Sequence, residues 1–388
     1  MQFAQRLQLL QSNVFADMDR AKALALANGR ELIDLSLGSS DLPTAPHVIA
    51  AIANSLSDSS TYGYLLFRGT QEFRQAVAQW YEKKFGIAVD AQREVLPLIG
   101  SQEGTAHLPL ALLNPGDFAL LLDPGYPSHV GGIYLASGQI YPMPLKEENG
   151  YLPVLADIPA TVLAQSRMMV LSYPHNPTSA IAPLAFFKEA VSFCQQHNIA
   201  LIHDFPYADL VFAGNSVPSI FQADTLKSIS IEFFTLSKSY NMGGFRIGYA
   251  IGNAELIQAL RQVKAAVDFN QYLGIMKGAI AALSGPQDGV KNTVAIFRRR
   301  RDAFIQALHR IGWYVPTPQA TMYIWAKLPA PWNQNSQEFC TKLVQETGVA
   351  VAPGIGFGLG GEGYVRFALV HEPDVLETAV TRIANFLP

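Results

Sequence analysis

TLSKSYNMGGFRIGY, residues 235–249, ends an apolar run in Ser-Lys and leads through a glycine-bearing loop to an arginine eight residues after the lysine. Lysine is the side chain that forms an imine with an aldehyde cofactor. A hydroxyl beside it and an arginine across the loop suit a phosphate dianion, because the guanidinium offers a planar fork of donors. Taken alone, the segment reads as an exposed lysine in a loop. Its surroundings change that reading.

Working outward, short apolar runs alternate with helix-period segments between about residues 90 and 255, the pattern of a sheet with crossover helices. The candidate strands are VLPLIG (95–100), FALLLD (118–123), MMVLSY (168–173), IALIHD (199–204), SISIEFFTL (228–236) and RIGYAI (246–251). They are apolar throughout, as suits strands covered on both faces of an α/β sheet. After residue 255 the texture changes. NAELIQALRQVKAAV and FRRRRDAFIQALHRIG read as helices, the second ending at Gly312, and TMYIWAKL (321–328) with GYVRFALV (363–370) reads as a second small sheet.

Further polar groups fall just past these strands, where open parallel sheets bind ligands. In IALIHDFPYADL, Asp204 stands at a strand end with Tyr207 three residues on. A carboxylate there can keep a pyridine nitrogen protonated, and a phenol can bond the ring's 3'-oxygen. Asp204 also reads as a plain turn former. In SYPHNPTSA, Asn176 precedes Pro177, a turn signal whose amide could reach the same oxygen. PLIGSQEGTAHLPLALL is a strand, a glycine turn and a helix, which places the Ser101 and Gln102 amides at a helix N-terminus, a ready phosphate site. DPGYP sets Tyr126 between prolines, either to cover a planar cofactor or simply to pack in a turn.

The 388 residues are 49% hydrophobic and 15% charged, enough for a large core and more than one domain. A net charge of -3 gives no general field for nucleic acid or an anionic membrane, so the expected partner is a small molecule. The Arg298–Arg301 run reads as a solvated helix face. The first residues lack the apolar centre of a signal peptide, and no run of about twenty apolar residues could span a bilayer. Cys194 and Cys340 are far apart with no metal-ligand spacing, and read as reduced, semi-buried thiols of a cytoplasmic protein; no metal site is expected.

With these residues in view, the chain resembles the class I/II aminotransferases of pyridoxal-5'-phosphate (PLP) fold type I over nearly its whole length. The family's motifs appear in order: LSLG, YLLFRGTQEFRQAV, GSQEG, DPGYP, NPT, HDFPY, SKSYNMGGFRIGY and PGIGFGLGGEGYVRFAL. The wording is most similar to the LL-diaminopimelate aminotransferase-like and bacterial aspartate aminotransferase-like branches. The resemblance implies a large domain with a mostly parallel seven-stranded sheet sandwiched by helices, plus a smaller α+β domain. The expected division is an N-terminal arm and part of the small domain over 1–45, a large PLP-binding domain over 46–280 and a small domain over 281–388.

It further implies that Lys238 is the Schiff-base lysine and general base, that Asp204 pairs with the pyridine nitrogen, and that Tyr207 and Asn176 bind the 3'-oxygen. Tyr126 would stack on the ring. Ser101, Gln102, Ser237 and Arg246 would hold the phosphate, joined by Tyr64, or by the nearby Tyr62, from the second subunit of a homodimer. Arg366 would bind the substrate α-carboxylate, with Gly38 beside it. The implied activity is ping-pong transamination between an L-amino acid and a 2-oxo acid, with glutamate and 2-oxoglutarate as one pair and LL-diaminopimelate or aspartate as candidate donors. β-Elimination at a C–S bond is the competing PLP chemistry, and a non-catalytic PLP-binding regulatory domain the competing class. Three departures stand out: Ser179 in place of the glycine of NPTG, Phe245 in place of a frequent tryptophan, and VDFNQYLGI (267–275) in place of the usual Ser/Thr-rich segment.

Overall fold

The apolar runs do become strands, in a computed structural model that describes residues 1, 3–10, 14–212, 214 and 216–387. Residues 2 and 11–13 of the expected arm, 213 and 215 of the expected large domain and 388 of the small one lie outside the described residues. The strands are β1 (Ile33–Asp34), β2 (Val95–Leu98), β3 (Phe118–Asp123), β4 (Gln139–Pro144), β5 (Ser166–Leu171), β6 (Ala200–Asp204), β7 (Ser230–Thr235), β8 (Gly248–Gly252), β9 (Tyr323–Lys327), β10 (Val349–Ala350), β11 (Ala352–Pro353) and β12 (Tyr364–Ala368).

Seven of them form one sheet in the order β2-β8-β7-β6-β5-β3-β4, and only β8 runs against the rest. Side chains alternate between two apolar layers: Leu120, Leu122, Met169 and Leu171 on one face, Ala119, Leu121, Met168 and Val170 on the other. Strands covered on both faces by helices need apolar residues at every position, which is why the runs were legible. β4 escapes that rule. Only Met143 of its QIYPMP is buried, and its two prolines are tolerated because an edge strand has no second neighbour to donate to.

A separate apolar core forms around the antiparallel sheet β11-β12-β9, and gathers Met18, Ala21 and Leu35 from the N-terminal segment with Phe304, Phe339 and Phe367. The arginine run lies in the Asp288–Arg310 helix and is only in part the solvated face that its charge suggests: Arg298 and Arg299 are exposed, but Arg300 and Arg301 are not. Arg300 is fully buried, with Nη1 and Nη2 on the Asp41 carboxylate at 2.7 and 2.8 Å and Nη2 on Glu372 at 2.6 Å. Arg301 is buried as well, over the Phe212 ring. Helical period puts both beside Phe297, Phe304 and Leu308 on the core stripe, and only paired acids make that burial tolerable. Both cysteines are free but fully buried, not semi-buried, because each sits on the core-facing stripe of an amphipathic helix. No helix among the described residues is long and apolar enough to cross a membrane.

Candidate active site

β2, β5, β6, β7 and β3 all end at the same edge of the sheet, and the reversed strand β8 begins there. That single reversal is why Arg246, which precedes a strand, shares an edge with Asp204, Lys238 and Asn176, which end or follow one. Gly38, Ser101, Gln102, Tyr126, Asn176, Asp204, Tyr207, Ser237, Lys238, Arg246 and Arg366 all line one cavity of about 760 Å³. Tyr64 does not; it projects from the surface, 96% exposed, as Tyr62 does to a lesser degree.

The floor of one end is the Gly100–Ser101 turn, where the Ser101–Leu112 helix begins. Gly100 has a φ of +75°, and a Cβ there would lie 2.5 Å from Arg246 Nη2, so glycine alone lets the guanidinium pack on this turn. The turn is braced from behind. Glu103 accepts the Ile99 N–H and the ammonium of Lys264, whose Nζ lies 2.7 Å from Oε1, with both side chains buried. Burial alone would push the Glu103 carboxyl up, but His107, Lys264 and the Ile99 amide outweigh it and hold it below its ordinary range. His107 and Asp268 complete a cluster of possible metal donors around Glu103, but a lysine ammonium is already among them. Lys264→Met leaves the buried Glu103 without its lysine ammonium, with only the Ile99 N–H and His107 beside it, and should lower folding stability by about 3 kcal/mol. Urea unfolding of the variant checks this, and a weaker grip on phosphate should accompany it.

Asp204 is buried at the end of β6, with Oδ2 3.0 Å from His129 Nε2 and Oδ1 buried without a partner among the described residues. Behind it, burial and the neighbouring His129 push His175 down to about 3, so it is a neutral ring, held by Thr178 Oγ1 at 2.8 Å. Across the cavity, Arg366 is buried on β12, not on the surface. Its Nη1 donates to Asn176 Oδ1 at 2.8 Å and its Nη2 to the Ser36 carbonyl at 2.7 Å. That bond fixes the Asn176 amide with its oxygen turned to the arginine, leaving Nδ2 for another acceptor. Ser36 is held in turn by Asp34, which also receives Lys22.

Lys238 Nζ donates to the Gly38 carbonyl at 2.5 Å. The next group, Tyr323, was not legible in the sequence. Its ring lies under Arg366, 4.2 Å from the guanidinium carbon, and its hydroxyl accepts from Tyr207 at 2.9 Å. A side chain at Gly38 would fall on that hydroxyl. Burial pushes both phenols up. It wins for Tyr207, whereas the Lys238 and Arg366 cations, with the Tyr207 bond, bring Tyr323 below its ordinary range. His129 was missed as well. A histidine three residues after Tyr126 and an aromatic in a short strand carry no sequence signal that separates them from core residues. The unusual 267–275 segment supports the same edge, with Gln271 Nε2 donating to the Leu98 carbonyl at 3.1 Å and Asn270 to that of Leu65 at 3.0 Å.

These donors fit PLP by their chemistry. An unpartnered buried carboxylate oxygen suits a protonated ring nitrogen, Tyr207 with the Asn176 amide suits a ring oxygen, and a helix N-terminus with serines and Arg246 suits a phosphate.

Comparison with known proteins agrees with that fit. Residues 30–383 match the family Aminotransferase class I and II. The chain is 42% identical over 386 residues to an LL-diaminopimelate aminotransferase of Dehalococcoides mccartyi, covering 100% of this chain and 99% of the relative. Among solved structures, a probable N-succinyldiaminopimelate aminotransferase from Thermus thermophilus superposes with a TM-score of 0.91 at 42% identity, over 96% of this chain and 100% of the other. Substrate-bound BacF from Bacillus subtilis gives a TM-score of 0.94 at 34% identity, over 100% of this chain and 98% of the other.

Proposed function

We propose, because this chain belongs to the aminotransferase class I and II family, that its cavity transaminates an amino acid whose far end is itself charged, with LL-diaminopimelate as donor and 2-oxoglutarate as acceptor. The chain is a PLP-dependent aminotransferase. Lys238, Asp204, Asn176 and Arg366 line one cavity, and that convergence carries the reading. The outer wall of the same cavity also holds Asp19 and Lys22, 2.7 Å apart and one helical turn from each other. Such a pair suits the ammonium and carboxylate of a second amino-acid head. The named relatives are aminotransferases, which disfavours the C–S lyase alternative.

PLP, when bound, supplies an aldehyde that exchanges with amines and a ring that withdraws the electrons released at the donor's α-carbon. The chain does the rest. Asp204 Oδ1 holds the ring nitrogen as N–H, and His129 holds Asp204 in place. Tyr207 and the Asn176 amide hold the ring oxygen, Tyr126 covers the ring, and Ser101, Gln102, Ser237 and Arg246 hold the phosphate. Arg366 fixes the donor's α-carboxylate beside Gly38, so that the α-hydrogen faces Lys238. Lys238 Nζ then takes that proton and later returns one, which is efficient only because both partners are already positioned.

We also infer a division into an arm that joins the small domain (1–45), a large domain (46–280) and a small domain (281–388). The sharing of one apolar core by Met18, Leu35, Phe304 and Phe367 supports it. Exposure of Tyr64 supports a homodimer in which Tyr64, or Tyr62, completes the partner's phosphate site, and the two free, buried cysteines suit a cytoplasmic location. The test is an absorbance scan of the PLP-loaded protein with LL-diaminopimelate, glutamate, aspartate and alanine. LL-diaminopimelate should bleach the visible band and 2-oxoglutarate restore it. Bleaching by alanine as readily as by LL-diaminopimelate would remove the role given to Asp19 and Lys22.

A further inference from the structure

Two hydroxyl residues that flank the site adopt backbone conformations that their side chains disfavour. Ser179 has a φ of +62° and Thr321 a φ of +67°. For a β-branched residue such as Thr321 this is a genuine outlier, and such conformations persist only where the surroundings over-determine them. The two are 142 residues apart, yet their hydroxyls meet at 2.6 Å in a fully buried contact. Both also grip the same backbone. Ser179 Oγ donates to the Tyr323 carbonyl at 3.0 Å, and the Tyr323 N–H donates to Thr321 Oγ1 at 3.1 Å.

Tyr323 thus has its backbone clamped on both sides, and its side chain carries the consequence into the cavity. β-Strand alternation puts Tyr323 on the face of β9 that meets Arg366 of β12, whose register partner is Trp325. The guanidinium is held between the Tyr323 ring at 4.2 Å and the Phe357 ring at 4.7 Å, while Asn176 and Ser36 take its N–H groups. A cation between two ring faces, with two donors already engaged, is restricted to one orientation.

We propose that Tyr323 is a positioning residue for Arg366, and that the Ser179–Thr321 hydroxyl pair is the device that sets it. The serine at 179 therefore has a task that a glycine, the easier residue at that φ, could not perform. Ser179 follows Asn176 in the same turn, so the clamp ties the loop that holds the arginine's acceptor to the strand that supplies its ring platform. This inference rests on the reading of Arg366 as the carboxylate-binding residue.

The experiment measures binding of an α-methyl amino acid, which has no α-proton to lose, to the PLP-loaded enzyme by the shift in visible absorbance, with thermal unfolding alongside. Ser179→Gly relieves the backbone while removing the hydroxyl, so its unfolding midpoint should stay level or rise. Its dissociation constant should nevertheless increase about threefold or more, the loss of one hydrogen bond's worth of positioning. Tyr323→Leu should weaken binding about tenfold, the weight of a desolvated cation–ring contact, and Tyr323→Phe, which keeps the ring, should restore it to within about twofold. Unchanged binding in both Ser179→Gly and Tyr323→Leu overturns the proposal, as does a Tyr323→Phe variant no better than Tyr323→Leu. If the wild-type enzyme binds no α-methyl amino acid while it still binds PLP, the reading of Arg366 fails, and the inference fails with it.

Discussion

Lys238→Ala is expected to lower turnover by about ten-thousand-fold, because in the proposed mechanism it removes at once the amine that bonds the cofactor aldehyde and the base that moves the α-proton. The variant should still fold. The Lys238 ammonium donates to the Gly38 carbonyl and lies over the Tyr207 ring, and the residue is no member of an apolar core. It should also still hold PLP, through the proposed phosphate donors Ser101, Gln102 and Arg246. Borohydride treatment followed by mass spectrometry of the denatured chain separates the two functions. The wild-type chain should carry the reduced cofactor on the peptide containing Lys238, and the variant should carry none. A variant that retains substantial turnover would remove Lys238 from the role assigned to it and with it the centre of the mechanism.

Asp204→Ala should cost about a thousandfold in turnover, on the scale of losing a preorganised group aimed at developing charge. Its effect on cofactor binding should be smaller, about tenfold to a hundredfold, the worth of one charge-assisted hydrogen bond. The reason for the difference lies in the geometry. Among the described residues Oδ1 is buried without a partner while Oδ2 is taken by His129, so the carboxylate is held for something that arrives from the cavity. Ser101 and Arg246, the proposed phosphate donors, lie at other strand ends and are untouched by the change. Turnover and PLP affinity measured on the same preparation distinguish this from general damage, which would lower both together. Near-normal turnover would contradict the assignment of Asp204 to the ring nitrogen.

Much of the candidate site was legible in advance, and the reason is local. Asp204, Asn176, Lys238 and Ser101 each stand at the end of an apolar run, and a strand covered on both faces announces its end by the first polar and turn-forming residues. The same logic failed wherever a residue's role depends on a partner far along the chain. Arg300 was read from its own charge as solvated, and its burial depends on Asp41, 259 residues away. β4 was passed over because its prolines and polar residues break the pattern of a central strand, whereas as an edge strand it needs no such pattern.

Ser179 was visible only as a departure from a motif. Its purpose required knowing that Thr321 faces it and that Tyr323 hangs from both. His129 and Tyr323 gave no signal, since a histidine in a helix and a tyrosine in a strand are ordinary core residues until the fold places one against Asp204 and the other beneath Arg366. By itself the sequence determined where the central strands stop and which polar groups stand at each stop, because burial and turn formation act over a few neighbouring residues. The tertiary structure alone decided which groups meet across the cavity and which are held still, because a contact over 75, 142 or 190 residues is set by strand order and register, to which no local pattern is sensitive.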